Sequence, residues 1–190
     1  MTIIFREARD SDRKEISEVI AEGFEDEFEG LKAEKVAKAF ESGINTNCFF
    51  VAEAEGVILG IAGCCDNIKR SVMLNKKDCR KFLGFIKGSF CFYSCSKEFM
   101  RPLLVEDNTG FIEFVATRKS ARRKKIAATL LIKITTSNRY KDYIIDVHDT
   151  NSGAIACYQN VGFSEYKRIS VKKSRKNSFK AKIYMRYQKK

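Results

Sequence analysis

The segment from Asn151 to Phe163, N-S-G-A-I-A-C-Y-Q-N-V-G-F, constrains the fold of this 190-residue chain more than any other segment. Asn is a good helix N-cap, because its side-chain oxygen accepts a hydrogen bond from an amide of the first turn. Gly162 is expected to end the helix in the left-handed conformation. Tyr158 follows the cap by about two turns, so it is expected near the helix face that carries Asn151 and Ala154. The pattern predicts a short helix that holds one tyrosine in a fixed place.

The pattern N-x-x-A-x-x-x-Y-x-x-x-G-F resembles the second sequence motif of the GNAT superfamily, whose members transfer acetyl groups from acetyl-CoA to amines. In that family the tyrosine protonates the departing CoA thiolate. The resemblance therefore implies that Tyr158 is the catalytic acid, and that Asn151 and Tyr158 border the cofactor. The alternative is a tyrosine that only packs on the sheet with its hydroxyl group satisfied.

A second block, residues 111–131, is typical of a strand, a basic loop and the start of a helix. Six of the eight residues from Arg118 to Lys125 are basic. Helix N-termini leave amides unpaired and carry partial positive charge, so they bind phosphate groups. The block resembles the other family motif, Arg/Gln-x-x-Gly-x-Gly/Ala, with Arg122, Lys125 and Ala127 at its three fixed places. The alternative is a solvated basic loop before an ordinary amphipathic helix.

The resemblance implies that the main chain of this loop holds the pyrophosphate of CoA, with the amide near Val115 as oxyanion donor and Thr117 paired with the pantetheine arm. Lys125 departs from the family pattern, which has glycine there, and Lys119 replaces the usual proline. Lys125 either offers its amide or obstructs the cofactor. The expected cofactor-binding residues are Val115, Thr117, Arg122, Arg123, Lys124, Lys125, Ile126, Ala127, Ala128, Asn151 and Tyr158.

The reaction also requires a base or a desolvating pocket, because a lysine-like amine has a pKa of about 10.4 and attacks only when neutral. Glu113 is the candidate catalytic base, since strand alternation would place it on the face shared by Phe111 and Val115. A glutamate that only pairs with a neighbouring lysine is the alternative. Asp146 and His148 lie on the strand before the tyrosine helix, and His148 has a suitable reference pKa.

The order of predicted elements resembles that of the GNAT family over residues 1 to 187. The predicted fold class is α/β (α+β), the acyl-CoA N-acyltransferase fold, in which helices flank a central mixed, mostly antiparallel sheet of about seven strands. A helical insert is expected at about residues 70–103, and its aromatic residues either line an acceptor pocket or pack on the sheet. One N-acetyltransferase domain is expected to cover residues 1–190. Strands are predicted at 3–8, 48–53, 57–64, 110–117, 143–147, 164–171 and 179–187, and helices through 16–24, 31–40 and 124–138.

The net charge of +12 is spread unevenly, with −7 in residues 1–60 and +19 in residues 61–190. This asymmetry indicates an anionic partner for the second part: nucleic acid, an acidic protein, or a cofactor with several phosphates. The acidic stretch 22–29 lies between the first two helices. Its five carboxylates would attract a cationic amine acceptor, and a solvated acidic face is the alternative.

Several classes of protein are not expected. No apolar run approaches the roughly 18 residues of a membrane span, and the N-terminus does not resemble a signal peptide. A cytoplasmic location and no membrane partner are therefore predicted. The seven cysteines form no C-x-x-C pair, and His148 is the only histidine, so no metal site is expected and the thiols are expected to be reduced.

The sequence thus predicts an enzyme, an acetyl-CoA-dependent N-acetyltransferase that moves an acetyl group directly to a primary amine. The acceptor is expected to be a small molecule or a peptide, the donor acetyl-CoA, and the protein a monomer or homodimer. The alternative is a weakly active or inactive module of the same fold that binds nucleic acid or an acidic partner through residues 118–125 and 167–190. Nucleic acid is the less favoured partner, because a CoA site already accounts for a basic loop.

Overall fold

The computed structural model describes residues 2–101, 103, 105–137, 139–171 and 179–188. Within these ranges seven strands form one sheet and six α-helices flank it. The strands are β1 Ile4–Glu7, β2 Phe49–Ala54, β3 Val57–Cys65, β4 Thr109–Thr117, β5 Asp142–His148, β6 Ser164–Ser170 and β7 Ala181–Gln188. The helices are α1 Arg13–Gly23, α2 Ala33–Glu41, α3 Lys76–Leu83, α4 Phe85–Phe99, α5 Ile126–Thr136 and α6 Ser152–Val161.

The sheet is open and mixed, with the strand order β1-β2-β3-β4-β5-β7-β6. Strands β4 and β5 run parallel, and the other neighbouring strands run antiparallel. This arrangement confirms the predicted sheet, and α3 and α4 confirm the predicted helical insert. No helix in the described ranges is long and apolar enough to cross a membrane. Residues 172–178, which join the predicted strands 164–171 and 179–187, lie outside the described residues.

The sheet separates two hydrophobic layers. Helices α1 to α4 cover the first face, where Ile16, Phe40 and Phe49 are fully buried. Helices α5 and α6 cover the second face with Leu130, Ile134 and other apolar side chains. The seven cysteines are free thiols, and all but Cys157 are buried. Burial of the apolar stripes of these helices supplies the main driving force for the fold.

Helix α5 is shorter than predicted, because residues 124 and 125 belong to the loop before it. Its buried residues recur at helical spacing and pack on the second face of the sheet: Ile126, Leu130, Leu131 and Ile134. The helix approaches β3 closely at Gly60, where an added Cβ atom would lie 2.6 Å from the Cγ2 atom of Ile126. A glycine at this position therefore fixes the N-terminus of α5 against the sheet.

Candidate active site

Strands β4 and β5 separate halfway along their length. Their register runs from Thr109 opposite Asp142 to Ile112 opposite Ile145, and the described residues beyond this point form no further β4–β5 pairs. The rest of β5 still pairs with β7. We call the resulting opening between residues 113–117 and 146–148 the cleft. Main-chain groups along both edges of the cleft are available to a ligand, because they have no strand partner across it.

A β-bulge in β4 changes which side chains face each layer. Three residue steps of β4, from Glu113 to Ala116, lie opposite two steps of β3, and Phe114 has a φ of 54°. Phe111 and Phe114 therefore pack in the first layer, whereas Val115 packs in the second. The predicted common face of Phe111, Glu113 and Val115 is wrong, because a bulge interrupts the two-residue alternation on which it depended.

The carboxylate of Glu113 is buried in a polar cluster on the first face. It forms an ion pair with Arg70 at 2.9 Å, and the two side chains are only 9% and 8% exposed. The hydroxyl of Ser71 and the thiol of Cys65 also donate to the carboxylate. Arg70 lies in the insert, far from Glu113 in sequence. The partner is thus an arginine from the insert, whereas the sequence suggested a neighbouring lysine.

The loop before α5 presents a run of unpaired amides. The main-chain N–H groups of residues 123–128 have no hydrogen-bond acceptor among the described residues, and the first main-chain bond of the helix runs from the Thr129 amide to the Lys125 carbonyl, at 3.0 Å. Lys125 adopts the left-handed conformation at φ 58° and ψ 17°, and Arg123 has a φ of 63°. Lys125 thus takes up the backbone geometry that glycine adopts at little cost.

Four cationic side chains surround these amides: Arg122, Arg123, Lys124 and Lys125. All four are exposed, and none forms an ion pair or a side-chain hydrogen bond within the described part of the chain. The loop is therefore open rather than filled by its own side chains. Unpaired amides at a helix N-terminus beside free cations form an arrangement that binds phosphate groups.

Carboxylates of α1 hold the start of this loop in place. The guanidinium group of Arg118 contacts Glu18 at 3.2 Å and Glu22 at 3.3 Å, and it donates to the carbonyl of Ile58 at 2.7 Å. Glu22 also accepts the amide of Lys119 at 2.6 Å. Composition alone did not predict this function of the acidic residues. Glu15, Glu18 and Glu22 recur at helical spacing, which could have revealed one acidic helix face.

Two of the five carboxylates in the acidic stretch 22–29 thus face the basic loop. Besides Glu22, Glu25 forms an ion pair with Lys119 at 2.5 Å. The neighbouring Asp26 and Glu27 are exposed, and no ion pair links either of them to another described residue. The stretch therefore supports the loop as well as presenting negative charge to solvent.

Helix α6 has the predicted caps and places Tyr158 in the second layer. The side chain of Asn151 accepts the amide of Ala154 at 3.1 Å, and Gly162 ends the helix with a φ of 110°. Tyr158 is 7% exposed, and its hydroxyl has no hydrogen-bond partner among the described residues. Burial, aided by the charges of Cys157 and Asp146, raises the pKa of Tyr158 well above its ordinary value. The phenol therefore stays protonated at neutral pH.

A charged cluster lies at the point where β5 leaves β4. Asp146 directly follows the last paired residue of β5 and forms an ion pair with Lys182 at 2.8 Å. Lys182 also contacts Glu98 of α4 at 2.6 Å. Burial lowers the pKa of Lys182, but the opposing effect of Asp146 and Glu98 is larger and raises it above the ordinary value. The cluster thus contains two carboxylates that share one ammonium group.

The remaining predicted residues lie around the same opening. Thr117 ends β4, and Val115 lies two residues earlier in the same strand. His148 ends β5, and its ring stacks on that of Phe179 with the ring centroids 3.6 Å apart. Asn151 is exposed and uses its side-chain oxygen as the cap of α6. In the described ranges, no group of three or more His, Cys, Asp or Glu side chains is arranged to hold a metal ion.

The fold and the site together define a class of protein. An open mixed sheet parts between two parallel strands, and a free helix N-terminus and a protonated tyrosine lie on the same face beside the opening. This combination is that of an acyltransferase fold with a loop of unpaired amides.

The particular family follows from comparison with known proteins. The sequence pattern of the acetyltransferase (GNAT) family matches residues 13–163, and the chain belongs to that family. This match confirms the predicted family and enzyme class. N-alpha-acetyltransferase 30 from Dictyostelium discoideum is 32% identical over 92 residues, which cover 46% of this chain and 48% of that protein. The chain thus matches about half the length of this curated relative.

Solved structures show the same fold. An N-acetyltransferase from Staphylococcus aureus Mu50 superposes with a TM-score of 0.65 at 18% identity, covering 97% of this chain and 100% of that one. The structure of yncA from Salmonella typhimurium, solved with its cofactor acetyl-CoA, gives a TM-score of 0.62 at 13% identity, with coverage of 99% and 94%. These likenesses confirm the predicted acyl-CoA N-acyltransferase fold.

Proposed function

We propose that the protein transfers an acetyl group from acetyl-CoA directly to a primary amine. The observation that carries this proposal is the run of unpaired amides at residues 123–128, surrounded by free cations at the mouth of the cleft. CoA carries a pyrophosphate group, which needs donors that are not satisfied within the protein. When bound, acetyl-CoA supplies a thioester that an amine can attack.

Three groups of this chain are assigned to the chemistry at the thioester. The main-chain amide near Val115 donates to the oxygen on which negative charge develops, because a fixed donor there stabilises the transition state. Thr117 pairs with the pantetheine arm. Tyr158 gives its proton to the departing sulfur, since its phenol is buried, protonated and without a described partner.

We assign binding of the acceptor and removal of its proton to Asp146. It is the first residue of β5 beyond the pairing with β4, and with Glu98 it leaves the cluster around Lys182 with one uncompensated negative charge. An ammonium group can take up that charge. Glu113 is the alternative base, but Arg70, Ser71 and Cys65 already occupy its carboxylate.

A peptide α-amine is the favoured acceptor. The name of the relative N-alpha-acetyltransferase 30 specifies an α-amine for that protein. An α-amine has an ordinary pKa of about 7.7–8.0, so a substantial fraction is neutral at physiological pH, whereas a lysine amine is almost entirely charged. Proton removal from an α-amine therefore needs only a modest base such as a partly paired carboxylate.

Thiol release with a panel of amines tests this proposal. We expect turnover with peptides that have a free N-terminus, and much slower turnover with peptides that are blocked at the N-terminus but contain lysine. Calorimetry with acetyl-CoA and with a short oligonucleotide provides the companion measurement. Salt-sensitive binding of the oligonucleotide without any affinity for acetyl-CoA would overturn the proposal in favour of a non-catalytic binding module.

A further inference from the structure

The hairpin of α3 and α4 has a surface that the acetyltransferase site does not explain. Helix α4 buries Gly88, Cys91 and Cys95 in the first layer, where Gly88 lies against Cys79 of α3. Its opposite side is also apolar: Ile86 is 82% exposed and Phe90 63%. A helix that is apolar on both sides is expected to contact something on the outer side as well. Two further large side chains, Phe85 and Tyr93, are exposed on the same helix.

The neighbouring helix α3 is basic on its exposed side. Cys79 and Leu83 are buried, and at 100° per residue Lys77 and Lys81 lie on the opposite side, while Lys76 and Arg80 lie on the flank that contacts α4. Residues 76–97 contain six Lys or Arg and one acidic residue, Asp78, which accepts a hydrogen bond from Ser42. None of the six forms an ion pair within the described ranges. They are Lys76, Lys77, Arg80, Lys81, Lys87 and Lys97.

The basic and apolar side chains form one continuous surface, because cations of α3 lie over aromatic rings of α4. The guanidinium of Arg80 lies 4.3 Å from the ring centroid of Phe85, and the ammonium of Lys76 lies 4.6 Å from that of Tyr93. We call this surface the α3–α4 patch. It combines exposed apolar side chains with cations that have no internal counter-charge, as interfacial membrane-binding helices do.

We propose that the α3–α4 patch binds the surface of an anionic phospholipid membrane, with the cations at the phosphate level and the apolar side chains of α4 inserted among the lipids. This is association with a surface and involves no membrane span. The sequence patterns, in contrast, predicted no membrane partner. Juxtaposed cations and inserted apolar groups each add to membrane affinity, and the two contributions require the same orientation of the hairpin.

The structure favours lipid over other occupants of the patch. A second copy of this chain would bring two uncompensated basic surfaces together, and like charges repel. Single-stranded nucleic acid binds by stacking bases on free aromatic faces. In the patch, Arg80 and Lys76 already cover one face of Phe85 and one face of Tyr93. The most exposed apolar side chain, Ile86, has no ring on which a base could stack.

A fluorescence experiment tests insertion directly, because the chain contains no tryptophan. Ile86→Trp provides a single reporter in the patch, and Ile132→Trp provides a matched reporter at an exposed isoleucine of α5. Vesicles of phosphatidylcholine with phosphatidylserine should shift the emission of the first reporter to the blue and leave the second unchanged. Absence of a shift, or an equal shift with neutral phosphatidylcholine vesicles, would overturn the proposal.

Vesicle flotation of the otherwise unmodified full chain tests the two contributions separately. Phe85→Ser combined with Ile86→Ser, and Lys77→Glu combined with Lys81→Glu, should each weaken association with anionic vesicles about tenfold or more. Ile132→Ser and Lys35→Glu are the controls at exposed positions elsewhere, and they should bind like the wild type. Association that the patch variants retain, or oligonucleotide binding that they lose, would contradict a lipid-binding patch.

The acetyl-CoA affinity of the same variants separates this proposal from the proposed function. The patch lies on the first face, away from the loop at residues 122–128, so all four patch substitutions should leave that affinity unchanged. Thermal unfolding confirms that each variant is folded. For the wild-type chain, failure of vesicle binding together with normal acetyl-CoA binding would refute the patch alone. Vesicle binding of the wild-type chain without affinity for acetyl-CoA would refute the cofactor site alone.

Discussion

The two sides of the cleft are built in different ways. On the β4–α5 side, the expected cofactor contacts come from main-chain amides between Arg123 and Ala128, and side chains of α1 only hold the loop in place. On the β5–β7 side, the candidate chemistry comes from side chains: Asp146, Lys182 and Glu98. A backbone site tolerates substitution of its side chains, whereas a side-chain cluster does not. The proposed assignment therefore predicts that Lys125 can replace a glycine on one side, and that loss of a single charge impairs the reaction on the other.

Substitution of Glu113 should have the largest effect, because its carboxylate is buried in the first layer and not beside the cofactor loop. Glu113→Gln would leave the charge of Arg70 buried without its partner, so we expect a loss of about 3–5 kcal/mol in the free energy of unfolding. Chemical denaturation measures this loss. Glu34→Gln, which breaks the exposed pair with Lys38, should leave stability unchanged. Normal stability together with abolished turnover would instead identify Glu113 as the base.

Tyr158→Phe is expected to have the next largest effect. Loss of a general acid should lower kcat by about a hundredfold or more, while the affinity for acetyl-CoA measured by calorimetry stays the same. Because the pKa of Tyr158 is raised, the wild-type kcat should not fall through loss of this proton up to about pH 10. Tyr143→Phe, at a buried phenol near the other end of β5, is the control. Unchanged kcat in Tyr158→Phe would remove the tyrosine from the mechanism.

Asp146→Asn tests whether side chains on the β5–β7 side of the cleft bind and deprotonate the acceptor amine. We expect kcat/KM for the acceptor amine to fall at least about tenfold, because the ammonium group and its proton lose their carboxylate. Acetyl-CoA affinity should not change. Asp142→Asn breaks a comparable ion pair with Arg186 at the paired end of the same strand, and it should leave acceptor kinetics unchanged. Equal kinetics of the two variants would show that Asp146 has no special function.

Arg118→Gln tests whether the carboxylates of α1 hold the loop at residues 123–128 in place. Releasing Glu18 and Glu22 from the guanidinium should let the loop move, and KM for acetyl-CoA should rise about tenfold, or ~1.4 kcal/mol, without a change in kcat. Arg139→Gln removes a similar ion pair on the far side of the sheet and serves as the control. A fall in kcat with unchanged KM would argue against a positioning function.

Lys125→Gly should have the smallest effect of these substitutions. The direction in which it changes stability and acetyl-CoA affinity shows what Lys125 does. The left-handed conformation of Lys125 costs about 1–2 kcal/mol for a residue with a Cβ atom, and the flexibility of glycine in the unfolded chain offsets part of the gain. We expect the variant to be more stable by about 0.5–1 kcal/mol, with acetyl-CoA affinity preserved or tightened. Lys124→Gly has no positive φ to relieve and should be slightly destabilising. A large loss of affinity in Lys125→Gly would show that the ammonium group contacts phosphate.

Local features of the site could be predicted from sequence, because short-range spacing determines them. Asn151 and Gly162 cap α6 as their positions indicated, and the basic loop does precede a helix. Features that depend on distant segments could not be predicted. The bulge at Phe114 depends on the register of β3, and the pairing of Glu113 depends on Arg70 in the insert. The association of Asp146 with Lys182 and Glu98 joins three separate elements, and no local spacing encodes it.

The most direct test of the account is an acetyl-CoA titration followed by amide NMR of the wild-type chain. Unpaired N–H groups that bind pyrophosphate should give large, saturable shifts at residues 123–128, and raising the salt concentration should weaken the binding. Acetylpantetheine, which has no phosphate, should not produce these shifts. Saturable acetyl-CoA binding that leaves these six amides unmoved would contradict the assignment of the backbone loop as the cofactor site.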